Sequence, residues 1–139
     1  MFWKKKIQNP KRDTLSFLEN SILQYLISEL AQPYSLLVEK QLKYLVFINR
    51  IDYKNFKTTE LYPEKYGCIP DCILFKRTEE FKLARIKFEM DGKVFNCEIH
   101  TALGQIFDIK IYPKPINIDK PMIEFKKIII EPQLENNIY

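Results

Sequence analysis

Glycine is scarce in this 139-residue chain, which has 3. Gly67, Gly92 and Gly104 stand too far apart for a phosphate-cradling loop, a dinucleotide fingerprint or a nucleophile elbow. Each of those needs glycines at fixed, close spacing. Histidine is scarcer still: His100 is the only one, which excludes every metal motif built on two histidines. Serine does not occur after Ser35. Long apolar runs are missing too. A secretory segment needs an apolar stretch of ~7–15 residues and a spanning helix needs ~20. Neither occurs, so a cytoplasmic protein without a membrane span is expected. The three cysteines, Cys68, Cys72 and Cys97, are odd in number and irregular in spacing, which is not a disulfide framework.

What is present is enough for one folded domain. The chain is 46% hydrophobic and 29% charged, and at this length most of a core can be buried without staples. The net charge of +4 is unevenly spread. Lys4, Lys5, Lys6, Lys11 and Arg12 crowd the first twelve residues, while residues 13–139 carry 17 basic and 18 acidic side chains. The expected organisation is a basic flexible tail over 1–12 and a single domain over 13–139. A nucleic-acid binder shows a basic stripe on its folded body. Here the body is neutral, so nucleic acid is an unlikely partner and only the tail could touch phosphates. The nineteen Ile and eighteen Lys against three Ala suggest an AT-rich bacterial genome.

Asp13 and Thr14 are good helix N-caps. Leu15, Leu18, Ile22, Leu26 and Leu30 then share one helix face, widened by Phe17, Leu23 and Ile27. Pro33 stops that helix. Tyr34, Leu37, Val38, Leu42 and Leu45 give a shorter pattern, helix or strand, that switches near Lys43 into a strand over 44–53. Residues 54–71 read as a long loop holding Tyr53, Phe56, Tyr62 and Tyr66 at its start and along its length, and 72–77 as a short strand.

Asp91-Gly92 is a tight-turn signal between two alternating runs. It sets Phe88 opposite Phe95, Ile86 opposite Cys97 and Ala84 opposite Ile99 on a dry face. Arg85 then faces Glu98, and Lys87 faces Asn96, on a wet one. A second turn at Gly104 sets Cys97 opposite Ile111, Ile99 opposite Ile109 and Thr101 opposite Phe107. On the wet face it adds Glu98 against Lys110 and His100 against Asp108. The fold class is therefore α+β. Two N-terminal helices pack on one face of a twisted antiparallel sheet of about 4–5 strands, with a meander over 82–112. Residues 123–130 supply a last or edge strand ended by Pro132, and 113–139 could cover a sheet edge in trans and make a homodimer.

Chemistry is thin. Cys68, Cys72, Cys97 and His100 form a nominal zinc set. But residues three apart on a strand point to opposite faces, which puts Cys97 in the core and His100 outside. No metal, no cofactor and no catalytic set is expected. His100 with Asp108 is half of a general-base site, since a carboxylate can orient an imidazole. A hydrolase-like enzyme using that pair is one alternative; a binder of nucleic acid or of an anionic surface through the basic tail is another.

Leu37-Val-Glu-Lys-Gln-Leu-Lys-Tyr44 running into a strand, followed by Ala84-x-Ile86 and a glycine-containing hairpin, resembles a group of uncharacterised small bacterial α+β proteins. Some of those are immunity proteins of polymorphic toxins. The resemblance spans 37–112 and implies a protein-binding module without catalytic residues. The candidate partner surface is Arg85, Lys87, Glu98, His100, Asp108, Lys110 and Tyr112, or Tyr53, Phe56, Tyr62 and Tyr66. Tyrosine gives rigid contact area with a polar tip.

Overall fold

A computed structural model describes residues 11–12, 14–116 and 118–131. Most of the basic tail and residues 132–139 lie outside the described residues. Ser16, not Asp13 or Thr14, caps the first helix, α1 (Phe17–Glu29). Its hydroxyl accepts from Glu19 N at 3.1 Å while Glu19 Oε1 accepts from Ser16 N at 2.8 Å, a reciprocal capping box. Ile22, Leu23, Leu26 and Leu30 are buried as the periodicity requires, whereas Phe17 is 49% exposed and does not widen the stripe. The second helix, α2 (Tyr34–Leu42), resolves the ambiguity of that segment in favour of helix.

Seven strands follow the chain: β1 (Lys11–Arg12), β2 (Leu45–Asp52), β3 (Lys57–Pro63), β4 (Phe81–Met90), β5 (Lys93–Ala102), β6 (Gln105–Tyr112) and β7 (Ile123–Ile130). They form one antiparallel sheet in the order β1-β2-β3-β6-β5-β4-β7. The class is α+β, with helices on a sheet. The sheet is larger than the expected 4–5 strands: six full strands and the two-residue β1, whose backbone pairs with Ile48 and Phe47.

The main reason for the difference is β3. The 54–71 segment is not one long loop, because Lys57–Pro63 runs through its middle as a strand between β2 and β6. Thr59 and Leu61 point into the core, and Thr58 and Glu60 point away. Nor is 72–77 a strand. Asp71–Ile73 makes a single 3-10 turn, from which Ile73 and Phe75 are buried in the main core.

The β4–β5 pairing places Phe88 opposite Phe95, Ile86 opposite Cys97 and Ala84 opposite Ile99, as the turn dictates. The β5–β6 pairing agrees from Cys97–Ile111 to His100–Asp108 and then departs. Thr101 faces Ile106, not Phe107, because the turn is two residues tight and a bulge makes up the difference. Both apolar side chains gain cover in this way. Ile106 enters the main core, and Phe107 joins Tyr62, Ala102 and Phe47 in a small second cluster on the opposite side. β7 pairs with β4 and contributes Phe125, whose ring stacks on Tyr25 of α1 at 4.2 Å. The main core thus lies between the helices and one face of the sheet.

Candidate functional site

The other face carries polar side chains in cross-strand rows. One row runs Asn49, Glu60, Asp108, His100 and Lys82 over β2, β3, β6, β5 and β4. The next runs Thr58, Lys110, Glu98 and Arg85. Such neighbours stand ~4.5–5.5 Å apart at Cβ, close enough to bond.

His100 is the centre of the arrangement. Its Nδ1 lies 2.6 Å from Asp108 Oδ1, and its Nε2 lies 3.4 Å from Glu98 Oε1. An ionised carboxylate only accepts, so Nδ1 carries a proton toward Asp108. The Asp108 hydrogen bond raises the imidazole pKa above its ordinary value. Partial burial and Lys82 oppose the rise, and the charges of Asp108 and Glu98 add to it. With a carboxylate at each nitrogen, the imidazolium form is favoured.

Glu98 gathers the second row. It accepts from the Tyr112 hydroxyl at 3.1 Å and faces Arg85 at 3.8 Å and Lys82 at 4.0 Å. Glu60 accepts from Asn49 Nδ2 and from the Tyr62 hydroxyl, each at 3.0 Å. Burial, and then the Glu60 charge, push the Tyr62 phenol well above its usual range. Lys110 Nζ sits 4.5 Å over the Phe56 ring, which stacks on Tyr53 at 4.4 Å.

Arg85, Glu98, His100, Asp108, Lys110 and Tyr112 therefore share one surface, with Lys87 in the adjoining row. The aromatic set divides. Tyr53 and Phe56 flank the turn between β2 and β3 and join that surface through Lys110. Tyr62 is buried in the second cluster, and Tyr66 lies beyond the far end of β3. These four do not form one contact loop. Asn49 and Glu60 belong to the site and are absent from the sequence-based set. Only the pairing of β3 with β2 and β6 brings them there.

Cys97 is fully buried, and burial pushes its thiol far up; Cys68 is half-buried and Cys72 exposed. Among the described residues no group of three or more His, Cys, Asp or Glu side chains could hold a metal ion, and no helix is long and apolar enough to cross a membrane. No known protein family, curated protein or solved structure matches the chain.

Proposed function

We propose that this chain is a non-enzymatic protein-binding module, of inhibitor or immunity type, that docks a protein partner on the polar sheet face centred on His100. The observation that carries the reading is the interlocking of that face. Asn49 and Tyr62 fix Glu60, Asp108 and Glu98 fix His100, and Tyr112 and Arg85 fix Glu98. Side chains ordered before contact lose less entropy on binding than free ones. Alternating charges flanked by the Tyr53–Phe56 stack suit a partner of complementary charge with an aromatic anchor.

The bonding of His100 disfavours the hydrolase alternative. A general base needs a free lone pair near a nucleophile. Here both ring nitrogens lie against carboxylates, and Thr101 is buried on the core side.

The test is affinity capture by the wild-type chain and by Arg85→Glu and Lys110→Glu variants. Arg85 is exposed and Lys110 is half-buried with its amine over the Phe56 ring, so circular dichroism first checks that each variant folds. A stoichiometric protein retained by wild type and lost by both variants is the expected result. A partner retained equally by all three proteins would place the contact elsewhere.

A further inference from the structure

The sheet ends at β7, which pairs with β4 on one side only. Glu131 N donates to Leu83 O at 2.8 Å, so the main chain of Glu131 turns toward β4. Alternation along the strand turns Ile129 the same way and leaves the N–H and C=O groups of Ile128 and Ile130 facing outward. Among the described residues nothing bonds to those outward groups. An edge of this kind is a template for another strand. We propose that β7 pairs antiparallel with β7 of a second copy of this chain, about a two-fold axis at Ile129, and so joins two sheets into one.

The stretch Lys127-Ile128-Ile129-Ile130-Glu131 is complementary to its own reverse. With the axis at Ile129, Ile128 exchanges two main-chain hydrogen bonds with Ile130 of the partner subunit, and Ile130 does the same with the partner's Ile128. Ile129, which is 50% exposed in one chain, meets the partner's Ile129 and is covered. Lys127 faces the partner's Glu131. Within one chain Lys127 stands directly opposite Lys87, and among the described residues no carboxylate lies within ion-pair distance of it. Like charges so placed destabilise a sheet, and the partner's carboxylate relieves them. Arg77 Nη1 already lies 3.6 Å from Glu131 Oε2, but a carboxylate has about four acceptor positions. An axis at Ile128 or Ile130 would set Lys127 or Glu131 opposite an isoleucine instead.

The first half of β7 is guarded. Lys126 sits in a bulge beside Lys127 and pairs with Glu124 at 2.9 Å and with Glu89 at 3.1 Å. A bulge and a lysine keep an edge from open-ended pairing. They confine the contact to residues 127–131, and a two-fold contact closes at two chains. So short a contact makes a weak dimer, with Kd on the order of 100 µM. His100 lies two strands in from this edge, so the pairing leaves the polar face around it to be tested separately.

Analytical ultracentrifugation of the full chain from about 10 µM to about 1 mM reads the mass. A monomer at the low end and a dimer at the high end are expected, and Ile129→Lys should remain monomeric throughout. Lys127→Glu and Glu131→Lys each set like charges opposite one another in their own dimers, and each should weaken association about tenfold. An equimolar mixture of those two variants restores both opposite-charge contacts and should associate as the wild type does. Amide exchange locates the contact. The Ile128 and Ile130 amides should slow as concentration rises, while those of Ile129 and Glu131, already turned to β4, change far less. A wild-type chain still monomeric at about 1 mM would overturn the proposal. A dimer whose Ile128 and Ile130 amides exchange as in the monomer would overturn it too, as would protection of both amides at every concentration, which would mean that the edge is covered within one chain.

Discussion

Arg50 of β2 grips Glu19 of α1 with two nitrogens, Nε at 3.0 Å and Nη2 at 2.7 Å, and so ties the first helix to the sheet. Glu19 is 3% exposed and also accepts from Ser16 N at 2.8 Å and from the Thr59 hydroxyl at 2.7 Å. Burial alone would raise its pKa. The bonds from Arg50, Ser16 and Thr59 outweigh that and hold it below the usual carboxylate value.

Removing the cation should therefore hurt more than neutralising the acid. Arg50→Met leaves a buried charge with only its Ser16 and Thr59 bonds, at a cost of about 3 kcal/mol. Glu19→Gln keeps the shape, and Arg50 can still reach water, so about 1–2 kcal/mol is expected. Urea unfolding of the two variants checks the order. The pH dependence has a definite sign. Because the folded pKa is depressed, the contribution of Glu19 is present above the unfolded value of about 4.3 and is lost as pH falls below it. Arg50→Met raises the folded pKa toward or past the unfolded value, so that acid-side loss should shrink or reverse.

His100 runs the other way. Its folded pKa is raised, so its contribution is complete below the unfolded value of about 6.5 and disappears as pH rises through the folded value. The chain has one histidine, so its imidazole signals in an NMR titration are unambiguous. The wild-type midpoint should lie above 6.5, and Asp108→Asn should bring it down. A wild-type midpoint at or below 6.5 would show that the carboxylates do not hold the imidazolium.

Gly92 and Gly104 have the same left-handed backbone, with φ of 81° each, but different surroundings. A Cβ at Gly92 would meet nothing within 4 Å, so Gly92→Ala should cost only the conformational penalty, about 1–2 kcal/mol. A Cβ at Gly104 would stand 2.6 Å from Phe75 O and 3.2 Å from Leu74 Cβ. The main chain there is held by the Phe75 N–Gly104 O bond and cannot step aside. Gly104→Ala should therefore exceed Gly92→Ala by at least about 1 kcal/mol. Thermal unfolding of the two single variants decides it.

The parts of this fold that were legible beforehand are those fixed by local pattern. Asp91-Gly92 sets the β4–β5 register, and strict alternation carries it outward to His100 and Asp108. The clustering of Arg85, Glu98, His100, Asp108 and Lys110 follows from that register alone. Thr101 escaped because a tight Leu103-Gly104 turn and a bulge at Phe107 serve two separate apolar clusters, which no single alternating face reveals. The strand β3 escaped because Pro63, Gly67 and Pro70 advertise a loop. Its β character rests on Thr58, Thr59, Leu61 and Tyr62, read in alternation. Glu60 and Asn49 were lost with it. Residues 72–77 read as a strand from their apolar start, Cys72-Ile-Leu-Phe75. Its backbone partners are instead supplied by Gln41 and Gly104, more than 25 residues away in sequence on either side.

Gln41 is the clearest case of such a long-range tie, and its removal has a specific signature. Its Oε1 accepts from Ile106 N at 3.0 Å, while its Nε2 serves Ile73 O and Gly104 O. Gly104 O keeps the Phe75 N bond if Gln41 is lost. Ile106 N and Ile73 O lose the bonds that Gln41 supplies. Gln41→Leu, of similar volume, should therefore cost about 2–4 kcal/mol, as two buried main-chain groups lose these bonds. Gln41→Glu should be worse, because an ionised carboxylate would confront the Ile73 and Gly104 carbonyls it cannot donate to. Hydrogen exchange separates this from a general loosening. In Gln41→Leu the Ile106 amide should exchange faster than the global loss of stability accounts for, while the Phe88 and Phe95 amides follow the global value. Equal acceleration at all three amides would mean that the Gln41 clamp stabilises the whole sheet rather than the turn it touches.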